Sequence, residues 1–127
     1  MTQLTTFTLL FIVSLFTPQN DSTLYGKWIM YKVLEGGEDV TSTHNPEADR
    51  FIIFKPNGTF ESGGTPYGKN TGKFTFQENN TLYLDSDAGS EDDSYWTWEI
   101  SGSEMTWTGV GSPRAEQFTI IHRRTAE

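Results

Sequence analysis

Chemistry requires groups that ionise, coordinate or attack, and this chain holds few of them. There is no cysteine, which removes thiol catalysis, thiolate zinc sites and any disulfide framework. His44 and His122 are the only two histidines. His44 stands in a polar stretch before Asn45-Pro46, and His122 stands in an apolar alternating run near the end. A lone histidine of either kind is more often structural or exposed than a ligand. No Gly-x-Ser-x-Gly, phosphate-binding loop or His-Glu-x-x-His occurs. An acid–base pair would have to be assembled in space, and His122 with an inward carboxylate such as Glu61 is the pairing the residues offer. No catalytic residue and no cofactor is therefore assigned.

The acidic run Asp85-Ser86-Asp87-Ala88-Gly89-Ser90-Glu91-Asp92-Asp93 is the best metal candidate. Calcium takes several carboxylate and carbonyl oxygens, which Asp85, Asp87, Asp92 and Asp93 could supply. The spacing is not that of an EF-hand, because Gly89 is misplaced and the twelfth position is Trp96. A solvated acidic loop explains the same residues, and no metal ligand is assigned. Four tryptophans, Trp28, Trp96, Trp98 and Trp107, are the remaining notable side chains. Gathered indoles can wall a pocket for an apolar or aromatic ligand, or they can fill a small core completely.

The elements that would position these residues are short. Twelve glycines, five prolines and many Asn, Thr and Ser break the 127-residue chain, and no long helical pattern is present. Eight strand-like runs are expected, over residues 24–34, 50–55, 59–62, 71–77, 81–85, 95–101, 104–109 and 117–124. Pro56-Asn57-Gly58 is a tight-turn signal, because Asn and Gly tolerate positive φ. Residues 39–49, 62–70, 86–94 and 110–116 read as loops, the first with room for a turn of helix. Each run follows its predecessor at hairpin distance apart from the longer first connection. That pattern predicts an all-β fold, a closed antiparallel up-and-down barrel of about eight strands.

Alternation picks the inward side chains. Phe74 and Phe76 share a face, as do Leu82 and Leu84. Trp96, Trp98 and Ile100 form a third set, Met105 and Trp107 a fourth, and Phe118 and Ile120 a fifth. Burial of one such side chain contributes roughly 1.5–3 kcal/mol. A dozen can offset the chain entropy of a domain this size by a narrow margin.

The first nineteen residues carry no charged side chain, and Phe7 to Phe16 is an apolar run broken only by Thr8 and Ser14. That run is too short for a membrane-spanning helix, which needs about 20 residues. It matches the core of a secretory signal peptide, and polar Gln19-Asn20-Asp21-Ser22 follows at once. Residues 1–19 are read as a signal peptide and 20–127 as one barrel domain, secreted or periplasmic. Net charge is −8, which disfavours nucleic acid and anionic membrane surfaces.

In order along the chain stand Leu24-Tyr25-Gly26-Lys27-Trp28, Phe54-Lys55-Pro56-Asn57-Gly58-Thr59-Phe60, Gly72-Lys73-Phe74, Leu82-Tyr83-Leu84, Trp98-Glu99-Ile100 and a basic residue closing the last run. This set resembles the small bacterial lipocalin-like domains of the calycin superfamily, whose barrels open on Gly-x-Trp. The resemblance covers nearly all of residues 24–124. It implies a barrel closed at one end, where Trp28, behind Gly26, packs under a basic side chain of the last strand. Strict alternation from Phe118 and Ile120 selects Arg124 over Arg123 for that role. The resemblance also implies a container. Its interior would hold a small hydrophobic or amphipathic molecule, lined by Phe74, Phe76, Trp96, Trp98, Trp107 and Phe118. Mouth loops 36–49, 63–70 and 86–94 would supply polar groups. The other reading is a solid barrel that meets a protein partner through its loops.

Overall fold

The computed structural model describes residues 21–125; the expected signal peptide lies outside the described residues. A 3-10 turn, Asp21–Leu24, leads into nine strands. These are β1 (Gly26–Glu35), β2 (Glu38–Asp39), β3 (Phe51–Phe54), β4 (Thr59–Gly63), β5 (Asn70–Gln77), β6 (Thr81–Ser86), β7 (Ser94–Ser101), β8 (Glu104–Val110) and β9 (Phe118–Arg124). One helical turn, α1 (Thr41–His44), lies between β2 and β3. Neighbours pair antiparallel in the order β1-β3-β4-β5-β6-β7-β8-β9, and β9 pairs back onto β1. The result is a closed eight-stranded up-and-down barrel, with β2 as a two-residue stub folded onto the end of β1. No helix among the described residues is long and apolar enough to cross a membrane.

The alternation in the sequence is the alternation of the wall. Phe74, Leu82, Leu84, Trp98, Met105, Trp107 and Ile120 are buried, while Lys73, Thr75, Gln77, Asp85, Tyr95 and Glu99 are exposed. One strand breaks parity. In β1 the buried residues are Trp28, Met30 and then Val33. The register to β9 shifts between Met30 and Lys32, so Tyr31 is the extra residue of a β-bulge and turns outward. Beside the bulge, the buried side chain of Asn45 donates to the Met30 carbonyl at 3.0 Å. The expected first strand begins two residues late. Leu24 belongs to the 3-10 turn and is fully buried as a plug under the barrel.

The two ends of the barrel differ. At the end that holds Trp28, the connections are short: residues 55–58, 78–80 and 102–103. Positive φ at Gly58, Asn79, Asn80 and Gly102 makes these turns tight. At the opposite end every connection is longer: 36–50, 64–69, 87–93 and 111–117. The closed half is filled by rings in mutual contact. Phe54 and Phe74 lie 5.0 Å apart between centroids, Phe74 and Phe76 5.7 Å, and Phe76 and Trp98 5.6 Å. The open half is where space remains.

Candidate functional site

The floor fixes everything above it. Trp28 is fully buried, and its Nε1 donates to the Leu24 carbonyl at 2.9 Å. Arg124 is directly opposite Trp28 in the β1–β9 ladder. Its guanidinium lies 4.0 Å from the Trp28 ring centroid, a cation–π contact. The same guanidinium donates to the Tyr25 carbonyl at 2.8 Å and to the Thr23 carbonyl. Gly26 has φ +115°, and a Cβ there would sit 3.1 Å from Arg124 Nη1. The glycine of Gly-x-Trp is thus required twice, by the backbone angle and by the arginine it makes room for. Arg123 points the other way. It pairs with Glu104 at 3.3 Å and lies on the Tyr31 ring outside the barrel.

The open end holds a chamber of about 560 Å³. Its apolar wall is Val33, Trp96, Phe118 and Ile120, and its polar rim includes His44, Tyr67 and Arg114. Loop packing builds the rim. The Asp39 carboxylate accepts from the Thr41 amide and hydroxyl, which anchors α1. The Thr41 hydroxyl in turn accepts from the Val33 amide, tying α1 to β1. His44, at the end of α1, stacks near Tyr67 and meets Phe118 edge-on at 5.6 Å.

A smaller chamber of about 170 Å³ reaches deeper into the barrel. Met30, Ile52, Phe60 and Leu84 supply apolar wall, and Trp107 and His122 also border it. Arg50, Trp96 and Ile120 border both chambers, so they stand at the neck between them. Arg50 precedes β3 by one residue and has the inward parity of Ile52 and Phe54. Its backbone is fixed by Asn45, whose Oδ1 accepts from the Arg50 amide at 3.1 Å. It is fixed again by close approach to Gly64, where a Cβ would fall 2.5 Å from Arg50 Cα. The guanidinium donates to the His44 carbonyl at 3.0 Å and lies over the Tyr67 ring. Among the described residues it forms no ion pair with a carboxylate. Burial pulls its pKa below the ordinary arginine value.

His122 is 2% exposed and its ring lies 4.4 Å from that of Trp107. Burial, reinforced by the Arg50 charge, pushes the imidazole down to about 3, so it is neutral. Its Nδ1 and the Trp107 Nε1 are buried with no hydrogen-bond partner among the described residues.

The six side chains expected to line a ligand divide between the two halves. Phe74, Phe76 and Trp98 belong to the filled half. Trp96 borders both chambers, Trp107 the inner one and Phe118 the outer one. His122 and Glu61 are not brought together, because Glu61 faces outward and pairs with Lys55 at 3.3 Å. The acidic run does not converge either. Asp87 accepts from Thr71, and Asp93 accepts from Tyr83 and the Ser86 amide. No group of three or more acidic or histidine side chains suited to a metal occurs among the described residues. Sequence reasoning missed Arg50 as a site residue, although its parity at the head of β3 was a usable signal. Nothing in the sequence marked Asn45 as the residue bonded beside the bulge.

Comparison with known proteins agrees with this architecture. A search of curated protein sequences gives no match. Among solved structures, the chain is similar to a crystal structure of a DUF4847 family protein from Bacteroides vulgatus. The match has a TM-score of 0.58 at 13% identity, covering 82% of this chain and 95% of that one, and it speaks to the fold alone. The family model for the lipocalin-like domain matches residues 24–107, from the Leu24 plug to Trp107 at the inner chamber. With that match over most of a closed eight-stranded barrel, the chain belongs to the lipocalin-like domain family.

Proposed function

We propose that this protein is an exported binding barrel that takes a small hydrophobic or amphipathic molecule through its open end. The observation that carries the reading is the division of the interior. The closed half is packed with rings, while the open half keeps a chamber of about 560 Å³ walled by Val33, Trp96, Phe118 and Ile120. Ligand pockets have volumes of about 300–1,000 Å³ and apolar walls with a few placed polar groups. Residues 1–19 are taken as the export leader and the rest as one barrel domain. N-terminal sequencing of protein recovered outside the cytoplasm tests that part, and an intact Met1 there refutes it.

Binding is tested by intrinsic fluorescence, since Trp96 borders both chambers. A panel of apolar and amphipathic compounds is titrated into the protein. Saturable quenching that disappears in Trp96→Phe, with the fold retained, supports the reading. Absence of any saturable response across the panel, by fluorescence and by calorimetry, defeats it.

A further inference from the structure

We propose that the ligand is an elongated molecule whose far end leaves the outer chamber sideways, through a parting of β7 and β8, and lies in a groove at the rim beside Tyr95. The inference rests on the binding reading above and adds to it a second site and a length requirement. Strand pairing creates the parting. The β7–β8 ladder ends at Tyr95 with Val110. One residue further on, Ser94 still pairs with Leu84 of β6. Gly111, at φ +108°, carries the other chain away into the 111–117 connection. Bonded neighbours stand about 4.7–4.9 Å apart, so strands that diverge in this way open a gap in the wall. A groove of about 300 Å³ occupies the gap, with Ser94, Tyr95, Val110 and Gly111 on its border.

The far side of the gap is fixed. A Cβ on Gly109 would collide with the Ala115 carbonyl, so the 3-10 turn Ala115–Gln117 sits hard against β8. Ser112 holds that turn in place: its Oγ accepts from the Ala115 amide at 3.1 Å, and its carbonyl accepts from the Glu116 amide at 3.0 Å. A Cβ on Gly111, by contrast, would meet nothing within 4 Å. The chain therefore builds both banks of the groove and leaves its middle unfilled.

Continuity with the outer chamber names the occupant. Asp93, Trp96, Ser112 and Ala115 border the chamber and the groove alike. Trp96 is held between them, because its Nε1 donates to Ser94 Oγ at 2.8 Å and its ring lies 5.3 Å from that of Trp107. A molecule resting on Trp96 in the chamber thus has the groove as its next apolar surface. Tyr95 is 43% exposed, with its ring stacked 4.7 Å from that of Tyr83, and Val110 stands opposite it in the ladder. Covering these two side chains removes apolar area from water, which favours a hydrocarbon segment there. Asp93, the acidic residue on the border, has its carboxylate turned to β6, where it accepts from the Tyr83 hydroxyl and the Ser86 amide at 2.8 Å each.

The test uses chain length and position. Octanol, decanol, dodecanol and tetradecanol are titrated into the wild type, Val110→Glu and Tyr95→Ser, followed by tryptophan fluorescence. Val110 and Tyr95 border the groove and not the chamber, so octanol affinity should stay within twofold in both variants. Tetradecanol affinity should fall at least tenfold in Val110→Glu and several fold in Tyr95→Ser. Urea midpoints check that both variants are folded. Two photoreactive tetradecanols, with a diazirine beside the hydroxyl or at the far end, are then cross-linked to the wild type and mapped by mass spectrometry. One of the two should label Tyr95, Val110 or Gly111. Equal losses for octanol and tetradecanol, no loss in either variant, or labelling by both probes confined to the mouth loops 36–50 and 64–69 overturns the side path and leaves the binding barrel standing. If no alcohol of the series binds, the binding barrel falls and the side path with it.

Discussion

His122 gives the sharpest test of how the interior is built. The unfolded chain takes up a proton on this histidine near 6.5, whereas the folded chain resists until about 3, because burial and the Arg50 charge oppose the imidazolium. Between those values the unfolded state binds more protons. The stability tied to neutral His122 is therefore fully present above about 6.5 and is lost as the pH falls. The slope for one proton is about 1.4 kcal/mol per pH unit, so the histidine alone accounts for about 2 kcal/mol lost between pH ~8 and pH ~5. Urea unfolding of the wild type and of His122→Leu at a series of pH values reads this directly. Carboxylates contribute acid destabilisation to both proteins, so the difference between the two curves isolates the histidine. The wild type is expected to lose about 2 kcal/mol more than the variant over that range. Parallel curves, or an NMR titration of His122 in the native protein with a midpoint near 6.5, would falsify the account of a buried neutral imidazole.

Other perturbations separate the parts of the barrel. Arg124→Met removes the contact with Trp28 and the hydrogen bonds to the Thr23 and Tyr25 carbonyls, and should cost about 2–4 kcal/mol with a red shift in tryptophan emission. Arg123→Met, which breaks an exposed pair, should cost less than about 1 kcal/mol. Gly26→Ala should destabilise by about 1–3 kcal/mol in thermal unfolding, since alanine is strained at φ +115° and crowds Arg124. Asn45→Ala should cost about 1–3 kcal/mol in urea unfolding by removing its buried hydrogen bonds to the Met30 carbonyl and the Arg50 amide. Trp98→Ala should cost about 3–5 kcal/mol while leaving ligand affinity within about twofold, because Trp98 lies in the filled half.

Much of this fold can be read from the chain because a barrel strand needs only period-two alternation and a turn. Phe74 and Phe76, Leu82 and Leu84, and Met105 and Trp107 each declare their face by spacing alone, and Pro56-Asn57-Gly58 and Asn79-Asn80 declare their turns. Features that depend on contact between distant segments are not written that way. The bulge at Tyr31 arises where β1 must serve two neighbours, and the Asn45 bond beside it joins residues fifteen positions apart. Arg50 looks like an ordinary strand-leading arginine until the loops at 44–45 and 64 close around it. The fate of the six aromatic candidates turned on depth along the barrel axis. Alternation says which way a side chain points, and says nothing about how far down it sits.

The seam between β1 and β9 has a kinetic meaning. Thr23 and Arg124 are bonded although 101 positions apart in sequence, and the β1–β9 ladder joins residues 83 to 96 positions apart, from Glu35 with Phe118 to Trp28 with Arg124. Hairpins from β3 to β8 can form as soon as they are synthesised, but the cylinder cannot shut before its final strand arrives. Until then both β1 and β8 offer raw, unpaired rims, a state that invites association with other chains. A chain of this design gains from being kept extended until complete, and its assembly rate is set by the last seven residues of its wall.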